Sequence, residues 1–221
     1  MARYDNWILD FDDTLAIGPI TWAIDVLLPE YLLANGLSVD VRTQNRALQR
    51  AQQAAAQDYN LTELIDSFVN DLGLPDAMSL KVGMRQKVEA SIDYALFDDT
   101  IPFLKRLAAN RCTVMIISNN NRAPALATLL DIAQYTQRML TPNICFNCKR
   151  KPDRSMFDYA QRLEPRLRAD NTVVIGDDPW SEADFATACD LPCVIVDRRN
   201  RYQDVSLPPN VRRVRTLLEL M

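Results

Sequence analysis

Four short apolar runs dictate what this chain can fold into: Trp7-Ile8-Leu9, Thr113-Val114-Met115-Ile116-Ile117, Thr172-Val173-Val174-Ile175 and Cys193-Val194-Ile195-Val196. None alternates apolar with polar residues, so each predicts a strand buried on both faces, as in a parallel sheet. Between the later runs lie segments of helical character, from Thr100 to Asn110, Ala123 to Ile132, Met156 to Leu163 and Ser181 to Ala188. Alternating strand and helix require parallel strands joined by right-handed crossovers. Asn143 to Phe146 reads as a further short strand, and Val214 to Leu220 as a last short helix. The expected core is a doubly wound α/β sheet.

That alternation is interrupted early. From Pro19 to Leu96 the texture is helical throughout. Ile20 to Ala34 is periodic and closes on Asn35-Gly36, a C-terminal cap. Ser38 is read as the cap of the next helix, which runs through Arg42, Arg46 and Arg50 to Gln57. Thr62 begins a third that stops near Leu72-Gly73-Leu74-Pro75, and Asp76 caps a fourth reaching Tyr94. Four helices with short connections predict a small bundle. The 221 residues accommodate a core of residues 1–16 and 98–221 with an inserted helical domain of residues 17–97. Ile17-Gly18-Pro19 and Leu96-Phe97-Asp98 are the hinge candidates.

Composition narrows the chemistry. The chain contains no His, which removes Ser-His-Asp and Cys-His hydrolysis and zinc sites with imidazole ligands. Acid–base work must fall to carboxylates, Lys, Tyr or Cys. A formal net charge of -4 makes nucleic acid and anionic membranes poor default partners. The N-terminal residues have no signal-peptide core and no run reaches membrane-spanning length. The 5 Cys, an odd number, fit reduced thiols, so a cytoplasmic location is expected.

Three strand ends carry polar clusters: Asp10-Phe11-Asp12-Asp13-Thr14, Ser118-Asn119-Asn120-Asn121 and Gly176-Asp177-Asp178. In a parallel sheet all three emerge on the same edge, where such folds place ligands. Gathering Asp10, Asp12, Asp177 and Asp178 there is repulsive unless a cation bridges them. Hard oxygen ligands without His or Cys favour Mg2+, which also binds phosphate. Ser118 is placed to donate to such a phosphate, and Lys151 to neutralise its charge.

Together these segments resemble the haloacid dehalogenase (HAD) superfamily. Asp10, Asp12 and Thr14 match its first motif, DxDxT after the first strand. Ser118 matches the second, Lys151 before Pro152 the third, and Asp177 after Gly176 the fourth. The resemblance implies a phosphatase in which Asp10 attacks phosphorus and forms an aspartyl-phosphate. It makes Asp12 the general acid and base, and has Asp10, the Asp12 carbonyl and Asp177 hold Mg2+. Thr14, Ser118, Asn119 and Lys151 would orient the site and its phosphate. Asp178, Glu182 and Asp184 compete as second acid of the fourth motif, with Glu182 best spaced. The family's dehalogenases lack a carboxylate at the position of Asp12. The insertion takes the place of the family's mobile cap, which implies a small soluble phosphoester as substrate. A phosphotransferase or mutase, and a regulator that binds phosphate ligands without turnover, are the alternatives.

Other features carry less. Cys145-x-x-Cys148 is a weak metal or redox signal, and idle thiols are the expected reading. Arg42, Arg46 and Arg50 share one helix face, expected to be solvated. Lys81 and Lys87 match no motif of the phosphonate-cleaving relatives. Oligomeric state and substrate identity leave no trace in the sequence.

Overall fold

The computed structural model describes residues 4–56, 60–75, 77–89 and 94–221. The chain divides into two compact units, one of residues 1–17 and 94–221 and the other of residues 18–93.

The first unit is built on six parallel strands: β1 (Asn6–Leu9), β2 (Thr113–Ile117), β3 (Arg138–Leu140), β4 (Thr172–Gly176), β5 (Cys193–Val196) and β6 (Val211–Val214). Their order is β3-β2-β1-β4-β5-β6. The chain thus winds outward from β1 in one direction, then returns to β4 and winds the other way. Leu9 is in register with Ile116 on one side and Ile175 on the other. The reversal between β1 and β4 opens a crevice at their C-terminal ends.

Side chains alternate between two apolar cores. Trp7, Leu9, Val114, Ile116, Val173 and Ile175 pack with Phe103, Leu104 and Leu107 of helix Thr100–Ala109 and with Leu126 of helix Ala123–Leu129. Ile8, Met115, Ile117, Val174 and Ile195 pack on the opposite face with Met156 and Phe157 of helix Ser155–Leu163 and with Phe185. The expected doubly wound α/β fold is the observed one.

Two elements differ from expectation. The strand after helix Ala123–Leu129 is Arg138–Leu140, while Asn143–Phe146 lies in turns closed by Ile144 and Cys145 N–H bonds to the Thr141 carbonyl. Arg-Met-Leu carries no β-branched signal, and only its pairing with Met115–Ile117 makes it a strand. Val214 ends β6 instead of beginning a helix; a 3-10 turn, Leu217–Leu220, starts beyond the Thr216 cap.

The second unit contains the helical segments Pro19–Trp22, Leu28–Ala34, Val41–Ala55, Leu61–Asp71 and Met78–Glu89, the first two joined by a wider π-helical turn, Ala23–Leu27. Its core gathers Ile24, Leu28, Leu48, Leu64, Ile65, Phe68 and Met84. Asp40, not Ser38, caps the second helix by accepting from Thr43 N at 2.9 Å. The third helix begins at Leu61, one residue before the expected Thr62, and is capped by Asn60. Arg42, Arg46 and Arg50 are exposed, and Lys81 donates to Asn70 at 2.5 Å. The extension to Gln57, the Asp76 cap and the last residues before Tyr94 lie outside the described residues, as does the Lys87 side chain.

Where the chain leaves and re-enters the first unit it is paired with itself. Ile17 N donates to Ala95 O at 2.8 Å and Phe97 N to Leu15 O at 3.1 Å. Among the described residues no helix is long and apolar enough to cross a membrane.

Candidate active site

β1 delivers Asp10 to the crevice: its N–H continues the ladder to Ile175 O at 2.8 Å, and its side chain is buried. The backbone then turns sharply. Leu15 and Ala16 N–H both bond to Phe11 O, and Asp13 adopts φ 57, a left-handed conformation that Asp tolerates better than bulky residues. The turn aims Asp12 and Thr14 back toward the strand ends. Arg198 braces it from the loop after β5, donating to Thr14 O at 2.8 Å.

Lys151 is 4% exposed, and its ammonium donates to Asp10 Oδ1 and Glu182 Oε1, each at 2.6 Å. Burial opposes its charge, but the two carboxylates outweigh burial and hold its pKa above the usual lysine value. Asn119 clamps the Lys151 backbone: its Oδ1 accepts from Lys151 N at 2.7 Å and its Nδ2 donates to Lys151 O at 3.1 Å. Both ends of the amide expected at the phosphate are therefore engaged with Lys151.

Glu182 lies in a π-helical turn, Pro179–Ala183, whose cap is Asp178, accepting from Trp180 N at 2.8 Å. Glu182 Oε1 also accepts from Ser181 Oγ at 2.8 Å, and Oε2 from Asp178 N at 3.0 Å. Its side chain folds over Gly176, where a Cβ would lie 1.9 Å from Glu182 Cγ. Asp184, the third competitor, is exposed.

Carboxylate oxygens of Asp10, Asp177 and Glu182 lie within 4.8 Å of one another. Asp177 accepts from Thr14 Oγ1 at 3.4 Å. Burial, compounded by Asp13, Glu182, Asp10 and Asp178, pushes its pKa well up. Burial raises Asp10 to about 8, against the lowering effect of Lys151, and raises Asp178 to about 7. One ammonium faces several carboxylates, so the cluster is short of positive charge. Its all-oxygen donor set fits Mg2+. Asp178, engaged as a cap, stands outside the three-acid group.

Asp12 occupies a separate niche. Its Oδ2 accepts from Asn120 Nδ2 at 2.9 Å, while its buried Oδ1 has no hydrogen-bond partner among the described residues. The same amide donates to the Tyr94 hydroxyl at 3.2 Å, which brings the phenol beside Asp12, and burial raises the Asp12 carboxyl to about 6. Ser118 is buried, and its Oγ accepts from Asn120 N at 3.1 Å, leaving its own proton to donate. Sequence reasoning left Asn120 without a role and missed Tyr94. Asn120 lay inside the flagged Ser118–Asn121 cluster, whereas nothing local marks Tyr94. Cys145 is buried and Cys148 half-buried, and neither joins a three-ligand group among the described residues.

The sequence profile of the haloacid dehalogenase-like hydrolases matches residues 5–190. No curated protein matches the chain. Among solved structures, YfnB of Bacillus subtilis, named as a HAD-hydrolase and solved bound to magnesium, is 16% identical with a TM-score of 0.66, over 99% of this chain and 97% of that one. A HAD phosphatase from Thermococcus onnurineus is 19% identical with a TM-score of 0.58, over 98% and 95%. A 2-haloacid dehalogenase from Pseudomonas syringae pv. tomato is 20% identical with a TM-score of 0.59, over 100% and 96%. At these identities the likeness speaks for the fold alone.

Proposed function

The chain belongs to the haloacid dehalogenase-like hydrolases, and within them we propose that it is a Mg2+-dependent phosphatase acting on small phosphomonoesters. The observation that carries this reading is the second carboxylate, Asp12, held by Asn120 with one buried oxygen that has no partner among the described residues. A halide leaves as a stable anion and needs no proton. An alkoxide leaving group is a strong base and does, so a carboxyl beside the nucleophile suits phosphate ester cleavage.

In this reading Asp10 attacks phosphorus while the ester P–O bond breaks, and Asp12 gives its proton to the departing oxygen. Water then attacks the aspartyl-phosphate, Asp12 takes the water's proton, and Asp10 and inorganic phosphate are released. Lys151 balances the phosphoryl charge, and Ser118 orients a phosphoryl oxygen. Asp10, Asp177 and the Asp12 carbonyl would hold Mg2+, which when bound supplies neutralising charge to the phosphoryl oxygens. Glu182, both oxygens already engaged, orients Lys151. The helical unit, residues 18–93, serves as the cap that selects substrate, for which the interdomain movement of YfnB is the precedent.

The test is hydrolysis of an aryl phosphate with and without Mg2+. Wild type turns over only with the metal, and Asp10→Asn abolishes turnover. Activity surviving in Asp10→Asn would remove Asp10 as nucleophile. Phosphate appearing on an added alcohol in preference to water would instead favour a phosphotransferase.

A further inference from the structure

The sequence motifs give Asn120 and Tyr94 no role, yet both converge on Asp12. Asn120 follows β2 and is locked by its own backbone surroundings. Its Oδ1 accepts from Arg122 N at 2.9 Å, and its N–H donates to Ser118 Oγ at 3.1 Å. With the amide oxygen fixed on Arg122, the amide nitrogen must face Asp12, so the orientation follows from the bonding pattern. Nδ2 donates to Asp12 Oδ2 at 2.9 Å and to the Tyr94 hydroxyl at 3.2 Å. Because that hydroxyl accepts from Asn120, its own proton is turned away from the amide, and Asp12 is an electrostatic neighbour of the phenol. The Tyr94 ring rests near Phe11, with centroids 6.0 Å apart. Phe11 is fully buried, so the phenol is anchored in the core.

A donor fixed on one oxygen of a carboxyl group dictates where its proton resides. An amide N–H2 cannot accept a hydrogen bond, so the oxygen it meets must remain an acceptor. The proton of the neutral acid therefore belongs on Oδ1, the buried oxygen without a partner. Resting on the phosphatase reading above, we propose that Asn120 is a positioning residue that holds Asp12 Oδ2, with Tyr94 positioning through its hydroxyl bond to the same amide, so that Oδ1 is the oxygen exchanging the proton with leaving group and water. Neither touches the reacting phosphorus in this scheme. Their effect passes through the aim of Asp12.

A residue that aims a general acid matters in proportion to the leaving group's need for a proton. The experiment compares kcat/KM for 4-nitrophenyl phosphate, whose leaving group needs little protonation, with that for an alkyl phosphate, in wild type, Tyr94→Phe and Asn120→Asp. Tyr94→Phe removes one hydroxyl and keeps the ring on Phe11. Asn120→Asp keeps the acceptor for Arg122 N and replaces the donor facing Asp12. Each variant is expected to lose about tenfold more on the alkyl than on the nitrophenyl ester, within the range that general acids contribute. Asn120→Asp should show the larger loss. Equal losses on both esters, or none, would overturn the assignment while leaving the phosphatase reading intact. Failure of the wild type to hydrolyse any phosphate ester would overturn that reading, and this inference with it.

Discussion

Gly176 ties Glu182 and Lys151 to one missing side chain. Glu182 lies where a Cβ on residue 176 would be, 1.9 Å from its Cγ, and from there it reaches Lys151. Gly176→Ala must displace Glu182, because β4 is buried and paired on both sides. The expected result is a loss of about 1–3 kcal/mol of stability from overpacking, with kcat reduced at least tenfold as Lys151 loses a partner. Thermal melts and steady-state kinetics on an aryl phosphate check both; a variant with wild-type kcat would mean that Glu182 does not set Lys151. This dependence was legible only in part. The Gly-Asp pair marked the motif, and spacing favoured Glu182, but the contact runs across a helical turn that no linear pattern records. Asn119 shows the converse, since its place beside Ser118 suggested phosphate, whereas folding brought it against a peptide bond 32 residues away.

At the level of elements, the Asp12–Thr14 turn is held from outside. Arg198 bonds Thr14 O and Asp99 Oδ2, and Asp99 Oδ2 also accepts from Thr216 Oγ1 at 2.5 Å and Leu217 N at 2.9 Å. One carboxylate thus joins the start of helix Thr100–Ala109, the loop after β5 and the C-terminal turn. Burial pushes the Asp99 carboxyl up, but these donors outweigh burial and hold it below the ordinary range. Stability from a depressed carboxyl is present above its unfolded pKa, about 3.9, and is lost as pH falls through the folded value. Asp99→Asn should therefore cost about 1–3 kcal/mol at neutral pH, and the gap to wild type should hold down to about pH 5 and close as pH falls further, through the folded value. Urea unfolding across that range measures it, and a gap independent of pH would contradict it. The elements themselves were readable wherever burial on both faces produced a continuous apolar run. β3 and β6 escaped because they are edge strands, made by pairing with a neighbour more than by their own residues.

For the whole molecule, the site works against folding. The structure brings Asp10, Asp177 and Glu182 together with one ammonium among them, so without a cation the fold must either set like charges together or take up protons, and burial with its acidic neighbours pushes the Asp177 carboxyl well up. The sequence disclosed this collision, since two acidic strand ends on one sheet edge cannot avoid each other. It did not disclose which acids already have partners, because Lys151 reaches them from a loop set by cross-chain contacts. Two outcomes follow for melting temperature. Adding Mg2+ to the wild type should stabilise the unit of residues 1–17 and 94–221 by about 2.7 kcal/mol at a hundredfold excess over Kd, a rise of roughly 5–10 °C for a chain of this size. Asp177→Asn relieves the repulsion without the metal. Its melting temperature in chelator should therefore exceed that of the wild type, while its response to Mg2+ is lost along with hydrolysis. Calorimetry on both proteins, in chelator and in Mg2+, distinguishes this from simple loss of a ligand. A variant that melts below the wild type in chelator would show that Asp177 stabilises the metal-free fold, and the charge argument would fail.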